Sequence, residues 1–153
     1  MEKDLEALIA EIDQIREEMQ GVVDKIDPAL EVCPGWTVKD AIGHITAWEI
    51  VIQKAIKAFQ AGDPPYFLHE QDFDIFNQEA VDYRSAWGQE QVLEEWKKVR
   101  SALKKDILKL NADDLDVELV LPWGSERTMA ELIEIIGEHE GEHLDNIKKV
   151  AGL

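Results

Sequence analysis

The sequence predicts an all-α protein, a four-helix bundle with a long connection between its second and third helices. Three observations lead there. Four segments repeat apolar residues at steps of three and four, the signature of one buried helical face. Two of them open on a capping-box pattern. The chain of 153 residues has the size of one domain with one sizeable core, expected to span 1–153.

The first helix, from about Lys3 to Lys25, sets Leu5, Leu8, Ile12, Ile15, Met19, Val22 and Ile26 on one stripe and ends near Asp27-Pro28. The second opens at "TVKD", where Thr37 can cap free backbone N–H groups while Asp40 reaches back, and runs to about Gln60 before "AGDPP" stops it. Its inward face reads Ala41, His44, Trp48, Ile52, Ala55 and Phe59. More than twenty residues then precede the third helix, long for a bundle connection, so this stretch is expected to hold a short helix around Phe73 to Tyr83 or to cover a pocket. The third helix, from about Gln89 to Leu110, aligns Val92, Trp96, Val99, Leu103, Ile107 and Leu110. "DVELVLPWGSER" alternates briefly, predicting a short strand or extended arm ended by Pro122 and Gly124. The fourth helix opens at "TMAE", with Thr128 and Glu131 as the second capping box, and continues to about Val150. Lys148 and Lys149 suit its negative end.

Charge and cysteine content bound the function. With 33 acidic and 16 basic residues the net charge is −17, which argues against a general basic field for nucleic acid phosphates or an anionic membrane. Neither partner is expected. The lone Cys33 excludes an intramolecular disulfide and reads as a small apolar residue, not a nucleophile. Without a charged-then-apolar leader or a long apolar run, a reducing cytoplasm is the expected location.

Two of the four histidines stand four residues apart in "GEHEGEHLDN". On the fourth helix Leu132, Ile135, Ile136, Ile147 and Val150 form the apolar stripe, and His139 and His143 continue it, so both should point inward. A four-residue step turns about 40° and climbs about 6 Å, which lets two imidazoles approach one ion. For the pair alone, core or boundary histidines satisfied by hydrogen bonds are the favoured reading. His44, also on an apolar face, supplies a third ligand, the count of open metal sites that keep a position for water or substrate. It lies seven residues past its cap, against eleven and fifteen for the others. Convergence therefore requires the fourth helix to start deeper or to run against the second.

"GWTVKDAIGHITAWE", "DFDIFNQEA" and "HEGEHLDNI" resemble, in that order and over nearly the whole chain, segments of the DinB-like superfamily of four-helix-bundle metalloenzymes. The resemblance implies a divalent metal on His44, His139 and His143. It also implies an activity among those of the relatives: thiol-dependent S-transferases and isomerases, hydrolase-like resistance proteins, or a member without catalysis that binds a metal or small ligand. Imidazole ligands favour zinc or nickel, then iron or copper, over magnesium or calcium. The expected partners are a small-molecule substrate, with a low-molecular-weight thiol as one candidate, and a second copy of the chain as a homodimer. The family often has arginine after the last histidine. Here Leu144 follows His143, so a role for that arginine does not carry over.

The remaining candidates carry weaker signals. Glu138, Glu140, Glu142 and Asp145 read as a solvated acidic face or as groups orienting an imidazole. His69 reads as a surface residue. Trp36, Trp48 and Trp123 read as packing residues, with Trp48 also a candidate wall of the metal pocket. Tyr83 and Arg84 are candidates to meet a substrate anion. No general base is singled out, and no organic cofactor is expected.

Overall fold

Apolar spacing and capping residues together set five helices in the computed structural model, which describes residues 3–153. They are α1 (Leu5–Val23), α2 (Val38–Ala61), α3 (Phe73–Tyr83), α4 (Gln89–Ile107) and α5 (Met129–Ala151). Both predicted capping boxes form: Thr37 with Asp40 opens α2, and Thr128 with Glu131 opens α5. Asp4 caps α1, and Asp72 caps α3 through the N–H groups of Asp74 and Ile75. The long connection does hold the short helix. α4 ends at Ile107, earlier than its apolar register suggests, but Leu110 stays buried in the turn that follows.

A short 3-10 helix (Asp113–Asp116) and two small hairpins complete the regular structure of the described residues. β1 (Glu31–Cys33) pairs with β2 (Trp36–Thr37), and β3 (Glu118–Val120) pairs with β4 (Glu126–Thr128). The second is the predicted extended arm, folded back on itself at Gly124, whose φ of 96° requires the freedom of glycine. The first was not expected from the sequence. Its three-residue strand is too short for an alternation to register.

Cross-helix contacts give the directions. Lys39 reaches the Trp87 carbonyl, Glu49 meets Arg100 and Gln53 meets Asp106, so α2 and α4 run parallel. Ile15 sits against Gly137 and Glu18 meets Lys148, so α1 and α5 also run parallel. Arg100 donates to the Ile12 carbonyl and Arg16 to that of Trp96, which sets α1 against α4. The order is up-down-down-up. Two parallel neighbours need a connection that returns along the bundle, and α2, at 24 residues, is about 36 Å long. That return is why residues 62–88 form so long a link, and α3 is folded within it.

One apolar cluster joins Leu8, Ile12, Ile52, Ile56, Leu103 and Ile136 at one end of the bundle. Another joins Met19, Val38, Ile45, Trp96, Leu144 and Ile147 at the other. Between them lie four buried charges, one from each long helix: Arg16, Glu49, Arg100 and Glu140. This places Glu140 in the interior, not on a solvated face. The buried line of α5 runs through Ile133, Ile136, Gly137, Glu140, Leu144 and Ile147, so the histidines sit on its flank and Val150 is exposed.

Candidate metal centre

α2 and α5 bring His44, His139 and His143 together because they run antiparallel. His44 faces His139 and His143, while Ile52, two turns further along α2, faces the same cavity as Ile135, one turn earlier on α5. Of the two geometries left open by the sequence, the second helix running against the last is the one found.

Nε2 of His44 lies 3.0 Å from Nε2 of His139, and Nε2 of His143 lies 3.2 Å from the same atom. Ring centroids are 4.8–4.9 Å apart and the planes stand between 69° and 86° to one another. Donors at 2.0–2.1 Å from a tetrahedral ion are separated by about 3.3 Å, close to these contacts. The three side chains are near enough to hold one metal ion. His44 is buried, and its Nδ1 has no hydrogen-bond partner among the described residues. Burial, then the neighbouring imidazoles, pushes His44 down to about 3; burial and His143 push His139 down to about 4. Burial also lowers His143, against the opposing pull of Glu142 and Glu140. At neutral pH all three rings are therefore uncharged and keep a lone pair for a cation.

A cavity of about 380 Å³ opens beside them. Its walls include Trp48 and Ile52 from α2, Phe73 and Asn77 from α3, and Trp123 from the β3–β4 turn, with Glu138 and Glu142 from α5. Trp48 donates Nε1–H to the Asn77 side-chain oxygen at 2.8 Å, fixing the indole and leaving the amide NH2 of Asn77 as the donor it can offer. Trp48 is thus a cavity wall, as considered from the sequence, and Trp123 is one too. Phe73 and Asn77 were not recognised as wall residues. They lie one turn apart behind the Asp72 cap, so an exact helix start would have put them on one face.

Other candidates lie elsewhere. Arg84 is buried and held by both oxygens of Glu95 at 2.6 and 3.0 Å, which removes it from any substrate anion. It crosses α2 at Gly43, where a Cβ would come within 2.8 Å of its Cδ. Tyr83 is exposed and stacks near Trp87. His69 is exposed and 3.6 Å from Glu79, away from the centre. Cys33 is exposed, not a buried apolar residue. Partial desolvation, with Glu31 and Asp40 nearby, pushes its thiol up, so it is a weak nucleophile. Leu144, which follows His143, is buried in the core.

Fold and site define a helical bundle with three histidines close enough together to hold a metal ion. The chain belongs to the DinB superfamily, whose family model matches residues 31–147. Solved structures share the fold at low identity. An uncharacterised protein from Escherichia coli UTI89 superposes with a TM-score of 0.82 at 17% identity, over 99% of this chain and 95% of that one. The colibactin self-resistance protein ClbS, solved in complex with dsDNA, gives 0.82 at 16% identity over 100% and 98%. A Streptococcus pneumoniae protein gives 0.81 at 14% identity over 99% and 92%. No curated protein matches the sequence.

The ClbS complex corrects one expectation. The net charge predicts no nucleic-acid partner, yet a protein of this fold is solved on duplex DNA. Net charge sums the whole surface, whereas a duplex meets a single face and is held by contacts placed there. A net charge of −17 is no ground for excluding that partner. For membranes the observation is narrower: among the described residues no helix is long and apolar enough to cross one.

Proposed function

We propose that the protein is a metal-dependent enzyme acting on a small molecule, with His44, His139 and His143 as ligands of one divalent transition metal. The observation that carries this reading is the convergence of three uncharged Nε2 atoms beside a cavity. Core histidines held by hydrogen bonds would have both nitrogens satisfied. Here the Nε2 atoms of His44 and His143 both crowd that of His139, where each N···N contact needs its own proton, and His44 Nδ1 is buried without a partner among the described residues. Three imidazoles suit zinc, nickel, iron or copper and do not suit magnesium or calcium, and zinc or nickel is the proposed occupant.

When bound, such an ion supplies Lewis-acid chemistry, suited to hydrolysis by activated water or to transfer of a substrate thiol. The chain supplies the surroundings. Trp48, Phe73 and Trp123 exclude water from one wall, the Asn77 amide can orient a polar group, and Glu138 and Glu142 are the carboxylates at the rim. A non-catalytic metal-binding bundle would share the ligands but show no turnover with thiols and electrophiles or with hydrolysable substrates.

Elemental analysis after dialysis against a weak chelator tests the centre. The wild type should retain close to one equivalent of zinc or nickel, His44→Ala, His139→Ala and His143→Ala should retain little, and His69→Ala should match the wild type. Equal retention by the wild type and His143→Ala would sink the three-histidine centre.

A further inference from the structure

The walls of the cavity restrict what can enter it. Trp48 meets Phe73 with centroids 5.4 Å apart at 84°, and Trp123 at 5.7 Å and 78°. Trp48 thus stands nearly at right angles to each of these neighbours and at 77° to the His139 ring, and all four rings line one volume. Glu138 and Glu142, one turn apart on α5 and both exposed, border the same space. No lysine or arginine among the described residues lines it. The volume, about 380 Å³, is within the range that encloses small ligands.

Aromatic faces carry the negative lobe of the ring quadrupole and attract a cation within about 6 Å of the centroid. Two carboxylates beside such faces add a long-range attraction of the same sign, and the net charge of −17 reinforces it. In the metal-free cavity an anion would meet both carboxylates with no basic side chain to offset them, after losing its own hydration; a bound ion would oppose this locally, at the histidines. We propose that this cavity selects a small molecule carrying a protonated or quaternary amine on an apolar body, with Trp48, Phe73 and Trp123 enclosing the cationic group and Glu138 and Glu142 as counter-charges. Anionic molecules, carboxylate-bearing thiols among them, are poor ligands of the cavity walls. The proposal depends on the metal-enzyme reading for the reaction that follows, while recognition stands on the walls alone.

Binding of three probes of similar size tests it: benzyltrimethylammonium, benzyl alcohol and benzoate, by calorimetry on chelator-treated protein. Metal-loaded protein is run alongside, because benzoate can ligate the ion directly there. The ammonium probe should bind about tenfold tighter than benzyl alcohol, the scale of a desolvated cation–π contact, and benzoate should bind weakest. It should shift the indole N–H resonances of Trp48 and Trp123. The double variant Glu138→Gln/Glu142→Gln, which alters only exposed side chains, should lose most of the preference, and Trp123→Leu should weaken the ammonium probe most. No preference for the ammonium, benzoate binding as tightly as it does, or shifts away from both indoles would overturn the proposal. Failed metal uptake with the probe order intact defeats the metal centre alone. Normal uptake with no such order defeats this inference alone.

Discussion

Arg16 donates Nε–H to Glu140, lying 3.0 and 2.9 Å from its two oxygens across 124 positions of sequence. Both side chains are buried, and the pair is half of a closed set. Arg16 also meets Glu49 at 2.7 Å, and Arg100 meets Glu49 at 2.7 Å and Glu140 at 3.1 Å. Trp96 adds an indole N–H to Glu140 at 3.1 Å. Two cations and two anions balance, so desolvation is offset only while all four are present.

Removing one member should therefore be costly. Glu140→Ala leaves two guanidinium groups with one carboxylate, and the expected loss is about 3–5 kcal/mol. The midpoint of urea unfolding at unchanged slope measures it. Replacing all four together by apolar residues of similar volume should cost far less. A single variant as stable as the wild type would mean that water, not protein, solvates this cluster.

The tryptophans should separate stability from binding. Trp96 is 1% exposed in the core, and Trp96→Ala should cost about 3–5 kcal/mol. Trp48 is only half-buried at the cavity wall, so Trp48→Ala should cost less in a denaturant melt yet abolish the ammonium probe's preference. Equal losses of stability at both positions would contradict this division.

Acid should weaken the metal-free protein through the histidines. His44 and His139 titrate at about 3 and about 4 when folded, against 6.5 ordinarily. Above 6.5 neither state binds the protons. Below it the unfolded chain takes them up and the folded chain does not, so stability falls from pH 6.5 toward 4. The fall in melting temperature over that window should be shallower in His44→Gln/His139→Gln. For the loaded protein, protons compete for lone pairs only well below 6.5, so metal should be retained to lower pH than free histidine would allow.

Periodicity and residue type made the helices and the three histidines legible. Steps of three and four survive in any fold that buries one face, and Thr37 and Thr128 mark starts through purely local chemistry. The charge cluster was not legible. Arg16, Glu49, Arg100 and Glu140 sit on four different helices, and each alone reads as a surface residue until its partners are known. Letting two histidines extend the apolar stripe of α5 moved its assigned centre off the line through Glu140. The cavity was hidden for a similar reason. Asn77 meets Trp48 across 29 positions, and no short-range spacing encodes that contact.

The histidines stand on the long helices α2 and α5, whereas much of the cavity wall comes from connecting segments: Phe73 and Asn77 from the link between α2 and α4, Trp123 from a hairpin turn. Insertions, deletions and substitutions in those two links can reshape the cavity while the imidazoles keep their places. A lineage built this way can exchange one substrate for another by rewriting surface connections, the part of a chain most tolerant of change. Membership of the superfamily over residues 31–147 is then informative about the bundle and nearly silent about the molecule its cavity takes.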